Sequence, residues 1–190
     1  MSFDNRVLRQ STVYKGFWTI KSVSLQNTRN DGSVRTLERE VAQTRDAAAV
    51  LPFDPARGVV LLTRQFRLAA FLNGGRNALL EACAGLIDDG EDAAVCVMRE
   101  AREEMGLALE HVRRVGEIYP SPGASTERIS LFVAHYEENR RTGAGGGVAQ
   151  EGEDIEVVEI ALDAALAMIA DGEIVDAKTI VLAQHLALTR

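Results

Sequence analysis

Several things are scarce in this sequence, and each shortage removes a class of function. Only two cysteines are present, Cys83 and Cys96. Their spacing matches no CxxC motif, so there is neither a disulfide framework nor a thiolate metal site. Each reads as a small buried hydrophobe, and a reducing cytoplasm is the expected compartment. The three histidines, His111, His135 and His185, lack metal-ligand spacing and read as solvated or core side chains. No apolar run approaches the length that crosses a bilayer, and the first residues lack the apolar stretch of a secretory leader. Positive charge is short as well. The net charge is −7, which argues against nucleic acid or a membrane surface as partner. A small polyanion would have to be held by individually placed cations and a metal. The glycine run GAGGG at 143–147 lacks the Lys-Ser/Thr of a phosphate-binding loop, and no helix is expected after it.

What remains is the composition of an ordinary globular chain, 46% apolar and 26% charged over 190 residues, enough for one domain with a proper core. Its most informative stretch is GLIDDGEDAAVCVMREAREEMGL, residues 85–107. Residues 92–105 are good helix formers without internal Gly or Pro, and Gly106 stands where a left-handed cap belongs. Ala94, Met98, Ala101 and Met105 recur at helical spacing and predict a core-facing stripe. Glu100 and Glu104 are four apart and share a face, with Arg99 and Glu103 as a second pair beside them. Two carboxylates so held suit a hard, oxygen-loving cation. An acidic, solvated helix face is the plainer reading of the same charges.

In chain order, Phe17–Thr28 reads as a strand, Asn30-Asp31-Gly32 as a turn, and Val34–Gln43 as the return strand of a hairpin. A lone hairpin is marginal in water, so it should pack on the main domain or on a second copy. AAAVLPF and GVVLLTRQF read as buried strands joined by the 54–58 turn. Arg67, leaving the second, suits either a surface or a bidentate phosphate clamp. A Gly/Asn loop, LNGGRN, precedes the short strand ALLEACA, in which Glu81 is a candidate further acidic neighbour of the Glu100 and Glu104 pair. Strands follow at 112–119, 129–136 and 155–161, then helices at 163–171 and 176–188. Between them, residues 142–154 predict a mobile glycine loop carrying Glu151, Glu153 and Asp154 toward a fixed site. Lys178 opens the last helix, where a cation gains nothing from the helix dipole, which marks it as a substrate-contact candidate.

The stretch 85–107 fits the Nudix box, G-x5-E-x7-R-E-U-x-E-E-x-G-U, at Gly85, Glu91, Arg99, Glu100, Glu103, Glu104 and Gly106, with Leu107 in the last apolar place. Ala101 departs from it, standing where a larger aliphatic is usual. The chain thus resembles the Nudix hydrolases. Pro122, sixteen residues after Gly106, resembles a mark of the sugar-nucleotide members related to ADP-ribose pyrophosphatases. RQFR (64–67), LNG (72–74), EACAGL (81–86), SPG…TE (121–127), AGGGV (144–148), EDIEV (153–157) and GEI…KT (172–179) resemble the bacterial GDP-mannose hydrolases.

The resemblance implies an α/β fold, an α/β/α sandwich around a mixed sheet over residues 46–190, with an antiparallel β-hairpin extension over 1–45. It implies hydrolysis of GDP-mannose to GMP and mannose 1-phosphate; the alternative is ADP-ribose, cleaved to AMP and ribose 5-phosphate. By the same resemblance the main-chain carbonyl of Ala84 and the carboxylates of Glu100, Glu104 and Glu153 hold Mg²⁺, or Mn²⁺ in its place. Arg67, Gly85, Leu86, Glu104, Glu127, Gly152, Glu153 and Lys178 contact substrate. Phe17, Glu38, Arg39 and Glu40 belong to a stretch reaching in from the other subunit of a homodimer, with Phe17 where a tyrosine is expected. The loop before Glu153 is longer than in those relatives, so Glu151 is an alternative to it.

The implied chemistry is ordinary phosphate chemistry. The metal neutralises the pyrophosphate and acidifies a water, while Arg67 spreads the remaining charge. Glu127 or Glu153 takes the proton, Glu103 completes the catalytic glutamates, and Arg99 orients them.

Overall fold

A computed structural model describes residues 4–137, 141–148, 150 and 152–189. The chain divides into two compact units, Met1–Arg45 with Tyr119–Glu127, and Asp46–Ile118 with Arg128–Arg190.

The first unit is an antiparallel sheet of β1 (Asn5–Lys15), β2 (Thr19–Thr28) and β3 (Val34–Gln43), in that order. The expected hairpin is therefore one strand short of what forms. Every residue of β1 is exposed, so no alternation of apolar and polar residues marks it in the sequence. It is held by its ladder and by side-chain bonds such as Lys21 Nζ to Thr12 Oγ1 (3.0 Å). The hairpin turn forms as expected, with Asp31 Oδ1 accepting from the Ser33 amide (2.9 Å). Residues 119–127 bond to the end of β3: the amide of Ala42 donates to Ala124 O, and that of Thr126 to Ala42 O.

The second unit is a mixed sheet between helices. Its main path is β10 (Glu156–Ala161), β5 (Val59–Gln65), β4 (Ala47–Asp54), β9 (Ile129–His135) and β8 (Arg113–Ile118). Only β4 and β9 run parallel among these neighbours. All eight residues of β4 are buried, and they alternate between two cores. Ala47, Ala49, Leu51 and Phe53 join α3 (Leu162–Ala170) and α4 (Ala177–Thr189), whereas Ala48 and Val50 join α2 (Ala93–Met105). That is an α/β/α sandwich. Among the described residues, no helix is long and apolar enough to cross a membrane.

The arrangement of β4 and β5 positions the site. They pair only at Phe53–Val60 and Asp54–Val59. Beyond that, β6 (Leu79–Glu81) pairs with β5 and β7 (Cys83–Leu86) with β4, so the chain enters the gap and delivers Gly85 to the start of the box. Between β5 and β6 stands a short helix, α1 (Leu68–Gly74), where a Gly/Asn loop was expected from residue 72. It buries no residue, so no apolar stripe announces it, and its left-handed cap is Gly75.

The box helix forms as its sequence predicts. Asp92 caps it by accepting from the Ala94 amide (2.8 Å), and Gly106 ends it at φ +62°. Its buried residues are Cys96, Val97, Ala101, Glu104 and Met105, so Ala94 and Met98 flank the stripe rather than form it. The small Ala101 is fully enclosed. A Cβ on Gly106 would lie 2.3 Å from the carbonyl oxygen of Gly143. Gly106→Ala is therefore expected to cost about 2 kcal/mol or more, from left-handed strain plus displaced backbone. In a thermal melt that is a fall of roughly 4–8 °C.

Candidate active site

Box helix α2 sorts its acids by depth. Glu103 is half-exposed, the Glu100 side chain is 12% exposed, and Glu104 is 1% exposed against the sheet. Arg99 ties the outer ones together. Its Nη1 donates to Glu100 Oε1 (2.7 Å) and Glu103 Oε2 (3.2 Å), while Nε and Nη2 fork onto Glu91 (3.1 and 3.2 Å). Nη2 also reaches the carbonyl of Leu86 (3.4 Å), which fastens the helix to β7. Arg99 thus contacts Glu91, Glu100 and Glu103, the glutamates it was expected to orient among them. Gly85 lets the strand approach Glu100: a Cβ there would fall 1.8 Å from Glu100 Oε1.

Glu104 is the unusual group. Its Oε2 is buried and has no hydrogen-bond partner among the described residues. Burial, above all, pushes its carboxyl up to about 7; a hydrogen bond with the Cys83 thiol opposes this, and the charges of Glu100 and Glu153 reinforce it. Glu100 is also raised, again chiefly by burial and against the pull of Arg99. Both cysteines are buried, as expected.

The glycine run completes this side. The amides of Gly146 and Gly147 donate to the carbonyls of Glu104 (2.9 Å) and Glu103 (3.1 Å), two groups a helix end leaves unsatisfied. A Cβ on Gly145 would lie 2.4 Å from Glu104 O. In the described part of the segment, glycine thus serves close approach to the end of the box helix. Glu153 is half-buried, with Oε2 accepting from the Val148 amide (2.9 Å). Gly152 is exposed, and Glu151, the alternative to Glu153, lies outside the described residues.

These donors fit a hard divalent cation. They are oxygens only, one is a buried orphan, and Glu100 and Glu153 repel the charge on Glu104. Among the described residues, no three acidic, His or Cys side chains stand already gathered for an ion. The reason is visible: Glu100 is turned to Arg99 and Glu153 to the Val148 amide.

A second cluster gathers cations around an anion. Glu81, 2% exposed, receives Arg67 through Nε (2.8 Å) and Nη2 (3.0 Å), and Lys178 Nζ at 2.6 Å. Burial alone would raise Glu81, but the bonds and charges of Arg67 and Lys178 hold it below the ordinary carboxylate range. Lys178 Nζ also bonds Asp176 (3.0 Å). The two cations expected at the substrate are thereby brought together. That one carboxylate holds both was not legible from spacing, because residues 67, 81 and 178 meet only through the sheet.

Phe17, Glu38, Arg39, Glu40 and Glu127 belong to the other unit. Phe17 is 82% exposed and edge-on to Trp18, and residues 38–40 lie exposed on β3. Arg39 Nη1 donates to the carbonyl of Glu38 (2.8 Å). The amide of Glu127 donates to Ser125 Oγ (3.1 Å). His111 and His135 are exposed, and His185 is within 3.4 Å of Arg113. A cavity of about 480 Å³ lined by Phe53, His111, His135, Tyr136 and Leu186 includes no box residue, and the chemistry is assigned to the carboxylates instead.

Comparison with known proteins bears on the family and the fold. The NUDIX domain description matches residues 43–182. The chain is 41% identical over 189 residues to the GDP-mannose pyrophosphatase of Cronobacter sakazakii, covering 99% of this chain and 97% of that one. It is 41% identical over 181 residues to the GDP-mannose pyrophosphatase of Escherichia coli K12, covering 95% and 93%. The crystal structure of an ADP compounds hydrolase superposes with a TM-score of 0.75 over 98% of this chain and 95% of its own, at 20% identity, a likeness of fold.

Two outcomes follow from the geometry. Gly85→Ala should fold normally, because the atoms its methyl meets belong to a side chain that can turn away. Turnover should fall about 100-fold or more as Glu100 is displaced, measured by steady-state kinetics beside circular dichroism. The second concerns pH. Because Glu104 holds its proton more tightly folded (about 7) than at its ordinary 4.5, stability falls as pH rises through that window. The full effect is about 3 kcal/mol. Metal-free protein should melt higher on the acid side of the window, and Glu104→Gln should flatten that slope. A divalent cation should stabilise most on the alkaline side.

Proposed function

The chain belongs to the NUDIX family of hydrolases, and from that premise we propose that it is a Mg²⁺-dependent nucleotide-sugar pyrophosphatase cleaving GDP-mannose to GMP and mannose 1-phosphate. The observation that carries the metal site is the buried, unpartnered oxygen of Glu104. The substrate rests on 41% identity along nearly the whole chain to GDP-mannose pyrophosphatases.

Glu100, Glu104, Glu153 and the carbonyl of Ala84 would hold Mg²⁺, or Mn²⁺, with Glu103 beside them on the Arg99 network. When bound, the ion supplies charge neutralisation at the pyrophosphate and a more acidic water. Arg67 and Lys178 bind and orient the phosphates. The backbone of Gly85 and Leu86 lets substrate lie close to β7, and Gly152 does the same at its loop. Glu127 or Glu153 accepts the proton of the attacking water. Residues 1–45 form a separate dimerisation and substrate-contact extension to the hydrolase domain of 46–190. In a cytoplasmic homodimer, Phe17 and Glu38–Glu40 contact the nucleotide sugar from the second subunit.

The test is product analysis with purified protein, Mg²⁺, and GDP-mannose and ADP-ribose in parallel. A kcat/KM about tenfold or more higher for GDP-mannose, with GMP released, is expected, a difference of about 1.4 kcal/mol in transition-state binding. Chelation should abolish turnover and added Mg²⁺ restore it. Glu104→Gln should lower kcat about 100-fold or more with the fold intact. Preference for ADP-ribose would overturn the substrate, and near-normal turnover of Glu104→Gln would overturn the metal site.

A further inference from the structure

We propose that Glu81 is a positioning residue, an internal counter-anion that stands where it can hold Arg67 and Lys178 together as a preorganised phosphate clamp. The inference rests on the reading of Arg67 as a substrate contact.

The geometry is selective. Glu81 takes the Nε–Nη2 edge of Arg67, and among the described residues nothing accepts from Nη1. The arginine side chain is 43% exposed while its partner carboxylate is 3% exposed. The guanidinium is thus gripped from the protein side by one edge, with its other end left for a ligand. Lys178 spends one proton on Glu81 and one on Asp176, which leaves a third.

A purely structural role explains this less well. The junction between α4 and β6 has its own fastening. Thr179 Oγ1 accepts from the Ala82 amide (2.7 Å), and Asp176 Oδ2 accepts from the Thr179 amide (3.0 Å) and hydroxyl (2.5 Å). A buried ion pair is a poor device for stability, because the desolvation of its charges offsets their attraction. It is a good device for fixing a fork in one orientation before substrate arrives, which spares the ordering cost at binding. With Glu81 neutral, Arg67 would keep its charge and lose its aim.

The experiment is a double-mutant cycle of Arg67→Ala and Glu81→Gln, followed by kcat and KM for GDP-mannose with Mg²⁺, with and without millimolar guanidinium. Expected are a rise in KM of about tenfold or more for Glu81→Gln in the parent chain and little further effect in the Arg67→Ala background. Guanidinium should restore part of the activity of Arg67→Ala but not of the double variant, since a Glu81 acting only on stability would not decide the rescue. Multiplicative effects in the cycle, or equal rescue of both, overturn the proposal while leaving Arg67 as a substrate contact. Unchanged kinetics for Arg67→Ala overturn that contact, and the proposal falls with it. Glu81→Asp, which keeps the charge one methylene short, runs the same cycle where the amide variant fails to fold.

Discussion

A carboxylate buried with one oxygen left unpartnered is the constraint on which the site depends. Glu104 is 1% exposed, and one of its oxygens has no hydrogen-bond partner among the described residues. Such burial is expensive, and the proton it retains near neutrality is the least costly response open to it without an ion. The cost is tolerable because the surrounding unit is built on a strand buried along its whole length, with a core on each face. The helix that carries Glu104 is fixed at both ends, by Asp92 at its start and by Gly106 and the glycine run at its finish. A mobile helix would let the carboxylate escape to water. The rigid one keeps it against the sheet.

The charges of the unit fall into two sets of opposite design. On the box helix one cation, Arg99, gathers three anions, Glu91, Glu100 and Glu103. At the end of β5 one anion, Glu81, gathers two cations, Arg67 and Lys178. The first set keeps three carboxylates close despite their mutual repulsion, with Glu100 turned to the arginine. The second keeps two cations close around one buried carboxylate. In a chain of net charge −7, such local sorting takes the place of a basic surface.

Legibility in the sequence followed the reach of the interactions. The box helix, its Gly106 cap and the i,i+4 glutamates depend on neighbours within a turn or two, and pattern alone placed them. Strands β4, β5 and β9 carry their own apolar runs and were equally plain, whereas ALLEACA, read as one strand, divides into β6 and β7 because its two halves pair with different neighbours. Strand β1 and helix α1 were not, because neither buries a face: all of β1 is exposed and α1 buries nothing. The meeting of residues 67, 81 and 178 was hidden for another reason. It is made by β6 entering the gap between β4 and β5 and by the packing of α4, and no local spacing encodes either.

The glycine run shows how one residue type supports two readings. Glycine permits both a freely moving backbone and an unusually close one, and sequence does not separate the two uses. Here a Cβ at Gly145 would strike the carbonyl of Glu104, and one at Gly147 would strike Glu153 itself, at 2.6 Å from Oε2. The run therefore joins the last turn of the box helix to the residue expected to complete its acidic set. Main-chain bonds to the carbonyls of Glu103 and Glu104 give that connection a fixed length. Glu153 is thus registered to Glu104 through backbone, with its side chain held by the Val148 amide.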